Sequence, residues 1–234
     1  MNRKAGSFSK LAAWSVHTFT AMGIASAFMS LLAISNMAWR QAFLWLFLCL
    51  AIDGIDGTFA RLAKVDQVLP RIDGKMIDTV VDYVTYAFLP AYIFYQAELA
   101  PAGWNLPCAL VMVVVAALYY GKEGMVSESM HFVGFPVLWN VLVFYLFFVF
   151  DLPAAANAAL IGLFAVLHFV PLKFAYPSRS SRFQLPNLVL GMIGLIAGFF
   201  IVWNYPQENL GLEIAVGFAG VYFMGLAVWE SFSG

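Results

Sequence analysis

The sequence predicts an all-α, polytopic membrane helix bundle of about eight spans, and three observations carry that prediction. First, 63% of the 234 residues are hydrophobic and 11% are charged, with a mean hydropathy of +0.84. Average soluble proteins run at roughly 45–50% apolar and about 25% charged, so this chain has too few polar groups to coat a soluble fold. A disordered chain is excluded too, because disorder needs low hydrophobicity and high charge. Second, the charges fall in clusters that leave uncharged stretches at 11–39, 41–52, 83–97, 99–121, 129–150, 152–172, 183–207 and 214–229. A spanning helix needs about 20 apolar residues. Third, eight crossings with the first residues inside leave eleven of the twelve Lys and Arg on the inner side, with only Arg40 outside. That is the bias expected of cytoplasmic loops, and it places both termini in the cytoplasm.

The elements follow in order. Span one covers about 12–35, and its apolar run is far longer than a secretory h-region of about 7–15 residues. Residues 3–12, with Phe8 and Leu11 among Lys and Ser, read as a short interfacial helix or as a solvated positive end. Span two covers about 40–62 and span three about 74–97; in both, a short apolar run continues into carboxylates. Pro101-Ala102-Gly103-Trp104 turns the chain into span four, about 104–121. Spans five and six cover about 134–151 and 154–173. Span seven, about 186–204, ends at Trp203-Asn204-Tyr205-Pro206, and span eight runs over about 210–230. No repeat, linker or low-complexity tract interrupts the chain, so 1–234 reads as one membrane domain. A net charge of −1 offers no basic patch for nucleic acid. Cys49 and Cys108 lie in apolar runs, implying neither a disulfide framework nor a zinc site.

Ionisable residues inside spans are costly and mostly functional, and here four arrive together. Asp53 and Asp56 stand near the inner end of span two, Asp78 and Asp82 near the start of span three. On a helix Asp53, Asp56, Gly57 and Ala60 form one stripe, and Gly74, Asp78 and Asp82 a second. Asp82 lies about 12 Å beyond Gly74, and Asp53 about 12 Å before Arg61, at ~1.5 Å per residue, so the two stripes can meet at one depth in an antiparallel pair. Four facing carboxylates repel unless something cancels their charge. Hard divalent cations, Mg²⁺ or Mn²⁺, do so with carboxylate oxygens as ligands. The glycines and alanine between the acids let a ligand approach the helix backbone. With Arg61 nearby, the set suits metal-bound phosphates. The competing reading is buried ion pairing or a cation path of a transporter, which gives no reason for two small-residue stripes.

These residues resemble the signature of the CDP-alcohol phosphotransferases, D-x-x-D-G-x-x-A-R, a spacer, then G-x-x-x-D-x-x-x-D. Asp53, Asp56, Gly57, Ala60, Arg61, Gly74, Asp78 and Asp82 match every fixed position. The resemblance implies a bundle with a cytoplasm-facing cavity, two divalent ions (Mn²⁺ or Mg²⁺) and an active site at the inner face of a bacterial cytoplasmic membrane. It also suggests a homodimer. Carried over residue by residue, Asp53, Asp56 and Asp78 are metal ligands, and Asp82 is a ligand and the general base. Gly57, Ala60, Arg61 and Gly74 line the nucleotide and diphosphate.

Within that family the chain is most similar to the bacterial phosphatidylcholine synthases. The eight spans, the twelve-residue spacer 62–73, Asp82-Tyr-Val-Thr-Tyr86 and Gly134-Phe-Pro-Val-Leu-Trp-Asn140 carry that likeness. It implies CDP-diacylglycerol and free choline as substrates among the membrane lipids. Sister enzymes with serine or glycerol 3-phosphate as acceptor would share the aspartate motif. A trimethylammonium group wants aromatic faces and a carboxylate, and Tyr86, Trp139 and Glu128 are the candidates, with Tyr83, Tyr119, Tyr120 and Glu123 nearby in sequence. His17 and His168 read as hydrogen-bonded bundle residues, His131 as a solvated loop residue or a contact to a substrate phosphate, and Asp66 and Asp73 as surface charges. Cys49 precedes Asp53 by one turn, but a thiol is a poor ligand for these metals.

Overall fold

The computed structural model describes residues 6–125, 131–175 and 183–232. Its helices are α1 Ser7–Ser35, α2 Trp39–Ala63, α3 Val65–Val68, α4 Gly74–Asp82, α5 Leu89–Gln96, α6 Asn105–Tyr120, α7 Trp139–Phe148, α8 Ala154–Leu167, α9 Gln184–Asn204 and α10 Leu210–Phe232. A π-helical turn, Tyr83–Phe88, joins α4 to α5, so these three pieces are one helical stretch. Leaving aside the four-residue α3, eight helical stretches among the described residues lie where the eight spans are expected, with α7 and α8, of 10 and 14 residues, shorter than expected. Four of them, α1, α2, α9 and α10, are long and apolar enough to cross a membrane. The large apolar side chains they leave exposed, such as Phe218 and Val221, are what a lipid solvent tolerates. Residues 7–12 are the first turns of α1 rather than a separate interfacial helix. One feature departs from an all-helical chain: strands β1 His131–Val133 and β2 Lys173–Ala175 pair antiparallel, His131 opposite Ala175. Three-residue strands carry no usable periodicity in a sequence.

The chain packs as two compact units, Met1–Thr85 and Tyr86–Gly234. In the first, α1 buries Ala13, His17, Thr20, Gly23, Ser26, Ala27 and Ser30, a stripe of small and polar residues. Helices in lipid associate by close backbone approach and interhelical hydrogen bonds rather than by a hydrophobic drive. That is what this stripe provides. The Ser30 hydroxyl donates to the Ala42 carbonyl at 2.9 Å, and the Cys49 thiol to the Gly23 carbonyl at 3.6 Å, fixing α1 antiparallel to α2. A Cβ at Gly23 would stand 2.7 Å from Val81 Cγ1, so glycine is what lets α4 lie against α1. Helix α2 ends where Lys64 takes a left-handed conformation, φ 48°. After α3, Asp73 caps α4 by accepting from the Met76 N–H at 3.1 Å. Asp73 is therefore a helix cap as well as an exposed charge.

In the second unit rings do the packing. Phe135, Phe174 and Ala227 form a core patch, and Phe135 meets Phe164 at 4.6 Å between centroids. Gly134 has φ +90°, and a Cβ there would run into the His168 carbonyl, so glycine is required twice over. The Tyr145 hydroxyl donates to the Val216 carbonyl at 2.7 Å, tying α7 to α10. The Tyr222 hydroxyl does the same to Asn187 Oδ1 at 2.7 Å, tying α10 to α9. The π-helical turn has a local cause in Pro90: it has no N–H to give Tyr86, four residues back, and its ring crowds that carbonyl, so the winding widens there.

Candidate metal and phosphate site

The site is built on α2 and α4. Side chains of Asp53, Asp78 and Asp82 each bring one carboxylate oxygen within 4.8 Å of the other two. The two stripes drawn from helical spacing do meet. Asp56 is buried at 7% exposure, one turn along α2, and does not belong to that close trio. Oδ1 of Asp82 is buried and accepts no hydrogen bond among the described residues. Three carboxylates this close repel one another, and an unpaired oxygen buried among them is costly. An oxygen-only donor set of this kind fits a hard divalent cation.

Arg61 turns back over its own helix. Its Nη2 donates to Thr58 Oγ1 at 3.0 Å, while Nη1 lies 3.5 Å from where a Cβ on Gly57 would stand. The guanidinium is exposed, with the small Gly57 beneath it. Ala60 is part-exposed on the same stripe. Gly74, the first residue of α4, has a different neighbour: His17 Cε1 lies 3.0 Å and Nδ1 3.5 Å from its absent Cβ. Thr58 and His17 were not singled out by spacing. Thr58 carries no motif signal, and His17 lies on a helix fifty-seven residues before Gly74.

The remaining candidates lie in the second unit. Tyr86 is buried on the π-helical turn, where i→i+5 winding breaks the four-residue spacing that would stack it directly above Asp82. Trp139 is completely buried, its ring stacked on His168 at 4.9 Å and 20° and edge-on to Phe135 at 6.5 Å. The packing makes it a core residue. Glu128 lies outside the described residues. Nδ1 of His168 donates to the Phe164 carbonyl at 2.7 Å, as expected of a bundle histidine, while Nε2 of His168 and Nε2 of His17 are both buried with no hydrogen-bond partner among the described residues. His131 is not a solvated loop residue: it stands on β1 with Nε2 3.1 Å from Glu230 Oε2, both part-buried or buried. Lys122, read as a topology-setting charge, donates to the Val133 carbonyl at 3.2 Å.

No family model matches the chain. Curated relatives do, over nearly its whole length. It is 36% identical over 226 residues to the phosphatidylcholine synthase of Pseudomonas aeruginosa, covering 95% of this chain and 93% of that protein. It is 37% identical over 227 residues to the phosphatidylcholine synthase of Rhizobium johnstonii, covering 96% and 93%. The enzyme of the same name from Rhizobium meliloti is 37% identical over 215 residues, covering 92% and 89%.

Proposed function

This chain belongs to the phosphatidylcholine synthase family, and from that premise we propose that it transfers the phosphatidyl group of CDP-diacylglycerol to free choline, giving phosphatidylcholine and CMP. The observation that carries the chemistry is the convergence of Asp53, Asp78 and Asp82 within 4.8 Å on a motif whose every fixed position is present. Asp53, Asp56, Asp78 and Asp82 would hold two divalent cations, Mn²⁺ or Mg²⁺. When bound, such ions supply positive charge to the diphosphate and to the charge that develops on the transferred group.

The chain's own residues do the rest. Arg61 presents its exposed guanidinium to the diphosphate, Gly57 and Ala60 leave room for the nucleotide to approach the helix backbone, and Gly74, with the His17 ring set against it, lines the same site from α4. Asp82, with one oxygen uncommitted, accepts the proton of choline's hydroxyl. The choline oxygen bonds to the phosphorus that carries diacylglycerol, the bond from that phosphorus to the bridging oxygen breaks, and CMP leaves with the electron pair. Tyr86 offers a ring to the trimethylammonium group. Both units serve as one catalytic domain in the cytoplasmic membrane, with the site at its inner face and the active form a homodimer.

The test is a single panel of assays. Purified protein, labelled CDP-diacylglycerol and Mn²⁺ are incubated with choline, serine or glycerol 3-phosphate in parallel. Phosphatidylcholine formed only with choline is the expected result. Product with serine or glycerol 3-phosphate instead would assign the chain to a sister activity, and no CMP release with any acceptor would overturn the enzymatic reading.

A further inference from the structure

His17 is a buried polar side chain of the first unit that neither the aspartate motif nor the mechanism uses. It is 5% exposed, and its Nε2 is shut from solvent with no hydrogen-bond partner. Leaving such a group unsatisfied is destabilising, and the neighbouring α1 positions, Ala13, Gly23 and Ala27, show that a small residue fits the same stripe at no such cost. Packing alone gives no reason for an imidazole here.

Its depth can be read from the helix contacts. The pairs Gly23–Cys49 and Ser30–Ala42 set an antiparallel register in which residue 17 of α1 stands level with residue 55 of α2, between Asp53 and Asp56. The pairs His17–Gly74 and Gly23–Val81 set α1 parallel to α4, with Asp78 one turn, about 6 Å, beyond the level of His17. His17 is thus within about one turn, along the helix axes, of Asp53, Asp56 and Asp78. Its ring carbon Cε1, which lies between the two nitrogens, rests on Gly74 at the N-terminus of α4. Asp73 takes the N–H of Met76 by its side chain and that of Ile77 by its carbonyl. No bond forms to the N–H groups of Gly74 and Lys75 among the described residues. A helix N-terminus with free N–H groups favours an anion, and the ring set against this one, by its Cε1 and Nδ1, carries the buried, unpartnered Nε2 on the far side of Cε1.

We infer that His17 is a donor-binding residue: its Nε2–H, with the free N–H groups of Gly74 and Lys75, holds a phosphoryl oxygen on the CMP side of the donor's diphosphate. This rests on the proposed function, and it explains why residue 74 is glycine, since a Cβ would press on the ring that makes the contact. His17 is not a metal ligand on this reading, so nucleotide affinity and metal affinity separate.

The probe is CMP, titrated calorimetrically into purified protein in Mn²⁺. Mn²⁺ affinity is measured separately without nucleotide by the spectroscopic signal of the free ion. His17→Ala and His17→Phe, the second filling the space without a donor, should each weaken CMP binding about 10- to 100-fold, the range carried by a hydrogen bond to a charged group. His17→Gln, which keeps a donor, should recover part of the loss. Mn²⁺ affinity and the choline KM should stay within twofold of wild type. Wild-type CMP affinity in His17→Phe would overturn the inference in favour of packing, and it decides the matter even where His17→Ala does not fold. A loss of Mn²⁺ affinity without nucleotide would overturn it in favour of a ligand role. Wild-type protein that binds no CMP would bring down the functional reading first and this inference with it.

Discussion

The two units bury different chemistry. Up to Thr85 the buried side chains are mostly small or polar: Ala13, His17, Thr20, Ser26, Ser30, Ala42, Cys49 and Asp56, with Phe43 the one buried ring of the phenyl or indole kind. From Tyr86 onward rings join the alanines and aliphatic side chains of the interior, with Phe94, Tyr119, Phe135, Trp139, Phe144 and Phe174 buried and His168 among them. Small residues bring backbones together and leave room for a ligand against them; rings fill space and hold a shape. Close packing of that second kind tolerates neither added nor removed volume. In the first unit the small residues of α1 let α2 and α4 approach it closely, and the acidic side chains gather on those two helices.

Substitutions at five positions test that contrast, from the largest expected effect to the smallest. Asp53→Ala or Asp78→Ala should abolish turnover and its metal dependence while helical content by circular dichroism is kept, because removing one of several crowded like charges does not cost folding energy. An unchanged metal dependence in Asp53→Ala would break the assignment of chemistry to the first unit. Asp82→Asn keeps shape but cannot take a proton, and should lower kcat by about 10²–10⁴-fold with a smaller change in donor affinity. Measuring CDP-diacylglycerol binding and turnover on the same preparation separates the two.

Gly134→Ala probes the other side of the contrast. The added Cβ meets the His168 carbonyl in a backbone already at φ +90°, so stability should fall by about 1–3 kcal/mol. Thermal unfolding in detergent would read this, and the KM values of the protein that stays folded should hold. Tyr86→Ala should have the mildest effect. A cation–π contact is worth about 0.5–2 kcal/mol, or roughly 2- to 30-fold in apparent affinity, so the choline KM should rise by that factor while the CDP-diacylglycerol KM stays. Tyr86→Phe should be close to wild type, since the ring face survives. Equal effects on both substrates would move Tyr86 into the packing class of its neighbours.

What the sequence by itself determined is the part of the molecule written in short-range spacing and in charge. Apolar runs between charge clusters placed eight helical stretches, because a membrane tolerates charge only at its edges. Spacings of three and four residues placed Asp53 on one stripe and Asp78 with Asp82 on another, because helical geometry is the same everywhere. Tertiary structure alone decided which stripes close on each other and what stands beside them. Asp56 stays outside the trio, Asp73 turns into a cap, Trp139 is enclosed by His168 and Phe135, and His131 pairs with Glu230 ninety-nine residues away. The π-helical turn after Asp82 follows from Pro90 acting four residues upstream, and the seat of His17 on Gly74 follows from how α1 crosses α4. The cap and the π-helical turn are local events that helical spacing alone does not signal; the others depend on side chains far apart in the chain arriving at one depth, and local periodicity says nothing about the register between helices.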